Sequence, residues 1–188
     1  MPTPHFTVRE MIAADAEAVA HVHLVSSRDS YRPLAREWTE LDPARGVEQW
    51  TARAYEAQHD PQRVCLVAES DAAIIAFVSG GPPRRSEVGA EHEVYVIHVL
   101  PNHRGRGVGG ALWSRACDSL RGEQLRPLYL DTLAQLDCCA FYEARGGLEV
   151  SREPGEFKGG SVTWLAYLWE QGWSHGRRER VEAPPGSS

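Results

Sequence analysis

Lysine is nearly absent from this chain: of 20 basic residues among 188, Lys158 is the only lysine and the rest are arginine. A nucleoside-triphosphate loop needs a lysine followed by Ser or Thr, so that class of site is excluded. Basic charge is also in deficit, with a formal net charge of −6. That balance leaves no basic stripe for a sequence-independent grip on nucleic acid and mildly favours cationic substrates. Cysteine is scarce and badly spaced. Cys65, Cys117, Cys138 and Cys139 form no two separated CxxC pairs, and adjacent cysteines rarely bridge each other, so no metal site is expected and the thiols should be reduced. No apolar run approaches the ~20 residues of a membrane helix, and Met1 to Val8 lacks the charged and apolar regions of a signal peptide. A soluble, cytoplasmic protein with neither membrane nor nucleic acid as partner is the expectation. There is no internal repeat.

Glycine, by contrast, is concentrated in one informative place. Glu93 to Gly110 reads EVYVIHVLPNHRGRGVGG. The run Glu93 to Val99 reads as a strand, which stops at Leu100 because Pro101 has no backbone donor to continue it. After the short turn Asn102 to Arg104 come Gly105, Gly107, Gly109 and Gly110, then Ala111, Leu112, Trp113, Ala116 and Leu120 at helical spacing. The glycines sit where a strand hands over to a helix. A helix N-terminus presents unpaired N–H groups and partial positive charge, and glycine lets a phosphate approach the backbone without meeting a Cβ. The turn is an anion cradle. Gly105, Gly107 and Gly110 also satisfy the dinucleotide spacing GxGxxG, with Asp131 about twenty residues on, where a ribose-binding acid would stand. A doubly wound dinucleotide domain, however, needs several further strand and helix units, and the short remainder beyond Asp131 does not supply them.

Taken in order, Phe6 to Arg9 reads as a strand, followed by a helix that Asp15 caps and that carries Val19, Val22 and Val25 to an end near Ser27. Ser26 to Leu41, with Tyr31 and Trp38, reads as a loop. Asp42 and Pro43 open a second helix through Val47, Trp50 and Ala54, which leaves at Asp60 and Pro61. Val64 to Glu69 and Ala73 to Ser79 are antiparallel strands around a turn at Ser70 and Asp71, and Gly80 to Ala90, with Arg84 and Arg85, is a surface loop. Pro127 to Leu133 is a strand that follows the cradle helix, so the strands on either side of that helix should be parallel with a right-handed crossover. Asp137 can cap a short helix through Phe141 and Tyr142, ended by Gly146 and Gly147 as left-handed stops. Leu148 to Glu153 and Ser161 to Trp169 form a hairpin around Gly155 to Gly160. The polar segment Gln171 to Ser188 has no apolar period and should be a flexible tail. The expected order is β-α-α-β-β-β-α-β-α-β-β, a single α/β (α+β) domain over residues 6–170 with seven strands and four helices.

Arg104, Gly105, Arg106, Gly107, Val108, Gly109 resembles the Arg/Gln, any, any, Gly, any, Gly/Ala signature of the GCN5-related N-acetyltransferase superfamily, directly after a strand ending in Val99, Leu100, Pro101. Phe141, Tyr142, Glu143, Ala144, Arg145, Gly146, Gly147 resembles the family's Phe-Tyr-Glu-x-x-Gly-Phe motif, with Gly147 where an aromatic is common. The resemblance implies a mixed, mostly antiparallel sheet whose parallel strand pair splays around acetyl-CoA after Val99. It implies that Arg104 to Gly110 hold the pyrophosphate, that the pantetheine arm lies along Ile97, His98 and Val99, and that a backbone N–H near Val99 polarises the thioester carbonyl. Gln135 stands where members often have a cofactor-binding asparagine. Tyr142 is the leaving-group acid by motif match.

Acetyl transfer to an amine also needs a base, because ammonium has no lone pair. Glu93 is the candidate, on a strand where the family often bears such a glutamate; otherwise it is solvated or paired with an arginine. His92 and His98 are alternative bases. By simple alternation His98 falls on the opposite strand face from Glu93. The acceptor is expected to be a small-molecule or peptide amine, chosen by the loops at Ser26 to Leu41, Gly80 to Ala90 and Gly155 to Gly160, and a homodimer is left open. Two other functions stay in view: a non-catalytic acyl-CoA-binding domain and a dinucleotide-binding oxidoreductase.

Overall fold

The computed structural model describes residues 6–85 and 89–170. The expected tail at 171–188 lies outside the described residues. Seven strands, β1 (Thr7–Glu10), β2 (Val64–Ser70), β3 (Ala73–Gly81), β4 (His92–Val99), β5 (Leu128–Leu133), β6 (Leu148–Phe157) and β7 (Gly160–Trp169), form one sheet in the order β1-β2-β3-β4-β5-β7-β6. Four helices accompany them: α1 (Ala16–Tyr31), α2 (Pro43–His59), α3 (Val108–Arg121) and α4 (Cys139–Glu143). The β4–β5 pair is parallel and every other pair is antiparallel. Order, strand count and helix count match the reading of the sequence.

Local chemistry explains most boundaries. Asp42 caps α2 by accepting the N–H groups of Ala44 at 3.0 Å and Arg45 at 3.4 Å, with Pro43 in the first turn where its missing donor costs nothing. The β2–β3 turn puts Asp71 and Ala72 at φ 50° and 61°, the left-handed pair whose twist matches the flanking strands. Other boundaries differ from expectation. The first helix runs to Tyr31 rather than stopping near Ser27, because Ser26 and Ser27 are buried against β4. Asp15 precedes α1 but does not cap it; its carboxylate takes the Ile12 N–H at 2.9 Å and pairs with Arg9 at 2.7 Å. Asp137 is not the cap of α4, which starts from Cys138 with no side-chain cap. Gly146 has the expected left-handed φ of 78°, but Gly147 does not share it; a Cβ on Gly147 would lie 2.8 Å from the Trp169 ring. The β6–β7 hairpin is longer than expected and turns on Lys158 and Gly159 alone.

Apolar cores lie on both faces of the sheet. Leu112, Trp113, Ala116 and Leu120 of α3 pack on Leu66, Val78, Val94, Leu128 and Leu130, while Val19, Val22, Trp50 and Ala54 of α1 and α2 pack on Cys65, Val67 and Phe77. A strand covered on both faces carries no alternation, which is why Val64 to Ala68 is uniformly apolar. One irregularity decides which way β4 points. Val94 pairs with Gly80 and Val96 with Ser79, so Tyr95 is an extra residue, a β-bulge. Val94 packs on the α3 side, yet Val96 packs on the α1–α2 side. The bulge therefore brings Glu93 and His98 onto one face, and the expected opposition between them is corrected. They still stand five residues apart, roughly 16 Å at strand rise, too far to touch one amine together.

Candidate active site

The parallel β4–β5 ladder holds only two pairs, His92 with Leu128 and Glu93 with Tyr129, although both strands continue. The strands thus part beyond Glu93, six residues earlier than the expected splay after Val99, and the bulge at Tyr95 lies in the first stretch of the opening. The Val99 carbonyl accepts the Ser26 hydroxyl at 3.3 Å and Arg104 Nε at 3.2 Å. At the far end the chain makes a 3₁₀ turn, Pro101–His103, and enters α3. Gly105 and Gly107 have φ of 73° and 85°, and a Cβ on either would meet no atom within 4 Å, so the backbone there faces open space. Gly107 is the N-cap of α3, and the Ala111 N–H, at 3.0 Å from the Gly107 carbonyl, is the first to find a backbone acceptor. Val108, Gly109 and Gly110 precede it, at the positive end of the helix. Arg106 is exposed at the same turn. The Arg104 side chain instead ties the turn to α1, donating to Asp29 at 2.5 Å and Ser30 at 3.4 Å.

Tyr142 is buried, its ring among Trp113, Phe141, Tyr167 and Trp169. The Cys138 thiol is close to it and lies 3.5 Å from the Thr132 hydroxyl. Burial, with Cys138 and Tyr31 close by, drives the Tyr142 phenol well above its ordinary value. Burial likewise pushes Tyr31 up to about 12. Tyr31 comes from α1 and Tyr142 from α4, on opposite faces of the sheet, so they approach one another through the opening. His98 stands beside Tyr31, ring centroids 6.1 Å apart, with Nε2 3.5 Å from the Ser27 hydroxyl.

Burial lowers His98 to about 3 and His23, whose ring is 5.5 Å away, to about 4. Both imidazoles are neutral in the folded protein at pH 7, and His98 is a weak base. The linkage has a definite sign. As pH falls below about 6.5 the unfolded chain takes up protons that the folded chain refuses, so stability falls, by about 1.4 kcal/mol per pH unit for each histidine, until the folded values are reached. Resistance to urea should therefore weaken as pH falls from 6.5 to 4. His98→Phe, which keeps a ring and removes the titration, should reduce that slope by about one histidine's share; an unreduced slope would assign the acid sensitivity elsewhere. His92 is 3 % exposed, and neither ring nitrogen has a partner within the structure. It lies on the α3 side with Val94, away from His98.

Glu93 is 2 % exposed and fully engaged by one residue. Oε2 accepts the Arg84 backbone N–H at 2.7 Å, and Oε1 accepts Arg84 Nε at 2.8 Å and also Nη2. Across the last ladder pair, the Tyr129 hydroxyl donates to Asp131 at 2.5 Å, and Asp131 pairs with Arg85 at 3.5 Å. Beside this cluster a cleft of about 620 Å³ opens between α2 and the sheet end, lined among others by Gln49, Arg53, Glu56, Ser79, Arg84 and Tyr95.

The model of the acetyltransferase (GNAT) family matches residues 24–147, more than half of the chain. The chain belongs to the GNAT family. A curated relative, an uncharacterized N-acetyltransferase YuaI of Bacillus subtilis, is 24% identical over 165 residues, covering 87% of this chain and 92% of the relative. The fold matches yncA, a putative acetyltransferase from Salmonella typhimurium solved with acetyl-CoA, at a TM-score of 0.67 and 20% identity over 88% of this chain and 94% of that one. It also matches the PaiA N-acetyltransferase from Thermoplasma acidophilum in complex with coenzyme A, at a TM-score of 0.63 and 14% identity over 87% of this chain and 99% of that one. The mostly antiparallel GNAT sheet replaces the dinucleotide alternative, and Asp131 is bound within the protein by Tyr129 and Arg85.

Within the GNAT frame the two departures from motif have local causes. Trp169 fills the space beside Gly147 where an aromatic is common, and its indole donates to the Arg145 carbonyl at 2.7 Å. Gln135 accepts the Thr163 N–H at 3.3 Å and so braces β7 against the end of β5. Arg145 carried no assigned role from sequence, although it lies inside the second motif. Its guanidinium stacks 3.6 Å from the Phe141 ring centre, and Nη2 lies 2.9 Å from where a Gly110 Cβ would be, beside the cradle. Tyr31, Arg84 and Arg85 are further site neighbours, from the two stretches expected to choose the acceptor, and Cys138, one helical turn before Tyr142, carried no assigned role from sequence. Among the described residues no helix is long and apolar enough to cross a membrane, and no group of three or more His, Cys, Asp or Glu could hold a metal ion.

Proposed function

We propose that this GNAT protein transfers the acetyl group of acetyl-CoA to a primary amine by direct attack on the thioester. The observation that supports it best is the opening between β4 and β5, with the open glycine turn at one end and the Tyr142 hydroxyl in between. The residues fit the cosubstrate: glycines without neighbours over Gly105 and Gly107, and free N–H groups at the start of α3, suit a pyrophosphate, with Arg104, Arg106 and Arg145 nearby. The unpaired edge of Ile97, His98 and Val99 suits the pantetheine arm, and a backbone N–H there would polarise the carbonyl. Gln135 would stand close to that arm. Glu93 removes one proton from the acceptor ammonium, the amine nitrogen attacks, the C–N bond forms and the C–S bond breaks. The second proton lost by that nitrogen passes to the departing sulfur, which leaves as the CoA thiol. Tyr142 donates its hydrogen bond to the departing thiolate.

One observation favours the non-catalytic alternative: a carboxylate held by both the backbone N–H and the guanidinium of a single arginine has few lone pairs left for a proton. Glu93→Gln separates the two readings. CoA affinity should persist and acetylation at neutral pH should fall by about 10²-fold, the low end of what general base catalysis contributes. The defect should shrink as pH rises towards the amine's own pKa, about 10 for a lysine-like acceptor, where solution supplies free amine. Initial rates from neutral to alkaline pH at saturating acetyl-CoA test this. A constant ratio would remove Glu93 from proton transfer.

A further inference from the structure

Two carboxylates stand on the adjacent strands that flank the opening, each held by an arginine of one loop. Glu93 and Tyr129 are opposite one another in the last ladder pair, so they share a face, and Asp131, two residues on, returns to it. The carboxylate side chains are 2 % and 19 % exposed, whereas the guanidinium side chains of Arg84 and Arg85 are 60 % and 64 % exposed. The acids are built into the sheet, and the arginines lie on them from outside. A buried carboxylate stripped of its cation is costly, so Arg84 can leave Glu93 only as another cation arrives. The neighbouring cleft of about 620 Å³ has Arg84 in its wall, so displacement of that side chain joins the cleft to Glu93.

We propose that Arg84 and Arg85 are an internal stand-in for the acceptor, and that the acceptor which displaces them is a small dication. One of its amines meets Glu93 and is acetylated, and its second cationic group rests on Asp131. Asp131 lies two residues beyond the partner of Glu93 on the neighbouring strand, an offset of about 7 Å along the strands and about 5 Å across them, or about 8 Å in all, which suits a spacer of a few methylene groups. The proposal rests on the assignment of Glu93 to the acceptor side. It adds a selection rule: a monoamine replaces only one of the two internal cations and leaves Arg85 over Asp131.

The test compares diaminobutane with butylamine at saturating acetyl-CoA. The full-length protein should prefer the diamine by about tenfold or more in kcat/KM, one well-placed charge contact's worth. Asp131→Asn should bring the ratio close to one. Arg84→Met, which keeps the stem and removes the internal competitor, should lower KM for the diamine severalfold. In parallel, the Tm of the CoA complex should rise with diaminobutane more than with butylamine, an increment that Asp131→Asn removes. A parent ratio near one, a ratio unmoved by Asp131→Asn, a raised KM in Arg84→Met, or a peptide with paired lysines acetylated in preference to the diamine would each overturn it. Failure of the base assignment looks different: Glu93→Gln then keeps full turnover, while the diamine preference and its dependence on Asp131 are still read directly.

Discussion

Gly107→Val should abolish detectable CoA binding while leaving the protein folded. The residue lies at φ 85° as the N-cap of α3, and nothing occupies the space its Cβ would enter. Folding therefore suffers only the backbone strain of a branched residue in the left-handed region, about 1–2 kcal/mol. Binding suffers more, because the isopropyl group fills the volume through which a phosphate must reach the N–H groups of Val108 to Gly110. Loss of two charge-assisted hydrogen bonds, about 1.5–3 kcal/mol each, corresponds to a dissociation constant raised about 10²-fold or beyond. Calorimetric titration with CoA reads the affinity, and circular dichroism confirms the fold. A folded variant with parental affinity would move the phosphates away from this turn.

That turn was legible in the sequence because its signal is local: four glycines between a strand that Pro101 ends and a helix that Ala111 to Leu120 continues. The caps and hairpins were legible for the same reason, as at Asp42 and Pro43. What the sequence concealed depends on distant partners. β4 is covered on both faces, so HEVYVIHV has no polar beat in which an inserted Tyr95 could show, and the bulge that turns Glu93 and His98 to one side left no trace. The arginine on Glu93 was foreseen only as an alternative, since nothing in the spacing of Arg84 and Glu93 distinguishes a buried clamp from a loose surface pair. Gly147 looked like a second helix stop, whereas its constraint comes from Trp169, 22 residues away in sequence.

Tyr142→Phe should separate chemistry from binding more sharply than any change at Glu93. Phenylalanine keeps the ring that packs 5.5 Å from Trp113 and 5.8 Å from Tyr167, so stability should change little and CoA should bind as before. Turnover should fall about 10²- to 10³-fold, the range typical of losing one hydrogen-bond donor to developing negative charge. The pH dependence discriminates further. Burial holds this phenol well above 10, so it keeps its proton throughout the working range, and the ratio of variant to parent rates should be flat from pH 7 to about 9.5. The same elevation bears on the proposed mechanism: handing the proton outright to a thiolate of ordinary basicity, near 8.5, is uphill, so in that proposal the hydroxyl would serve chiefly as a hydrogen-bond donor that stabilises developing negative charge on sulfur. Tyr31 is the control, because it comes from α1 on the opposite face of the sheet, stands beside His98 and is also held protonated by burial. Tyr31→Phe should leave most of the turnover intact. If that variant carries the loss and Tyr142→Phe does not, the donor to the leaving thiolate comes from the α1 side, and Tyr142 is a packing residue.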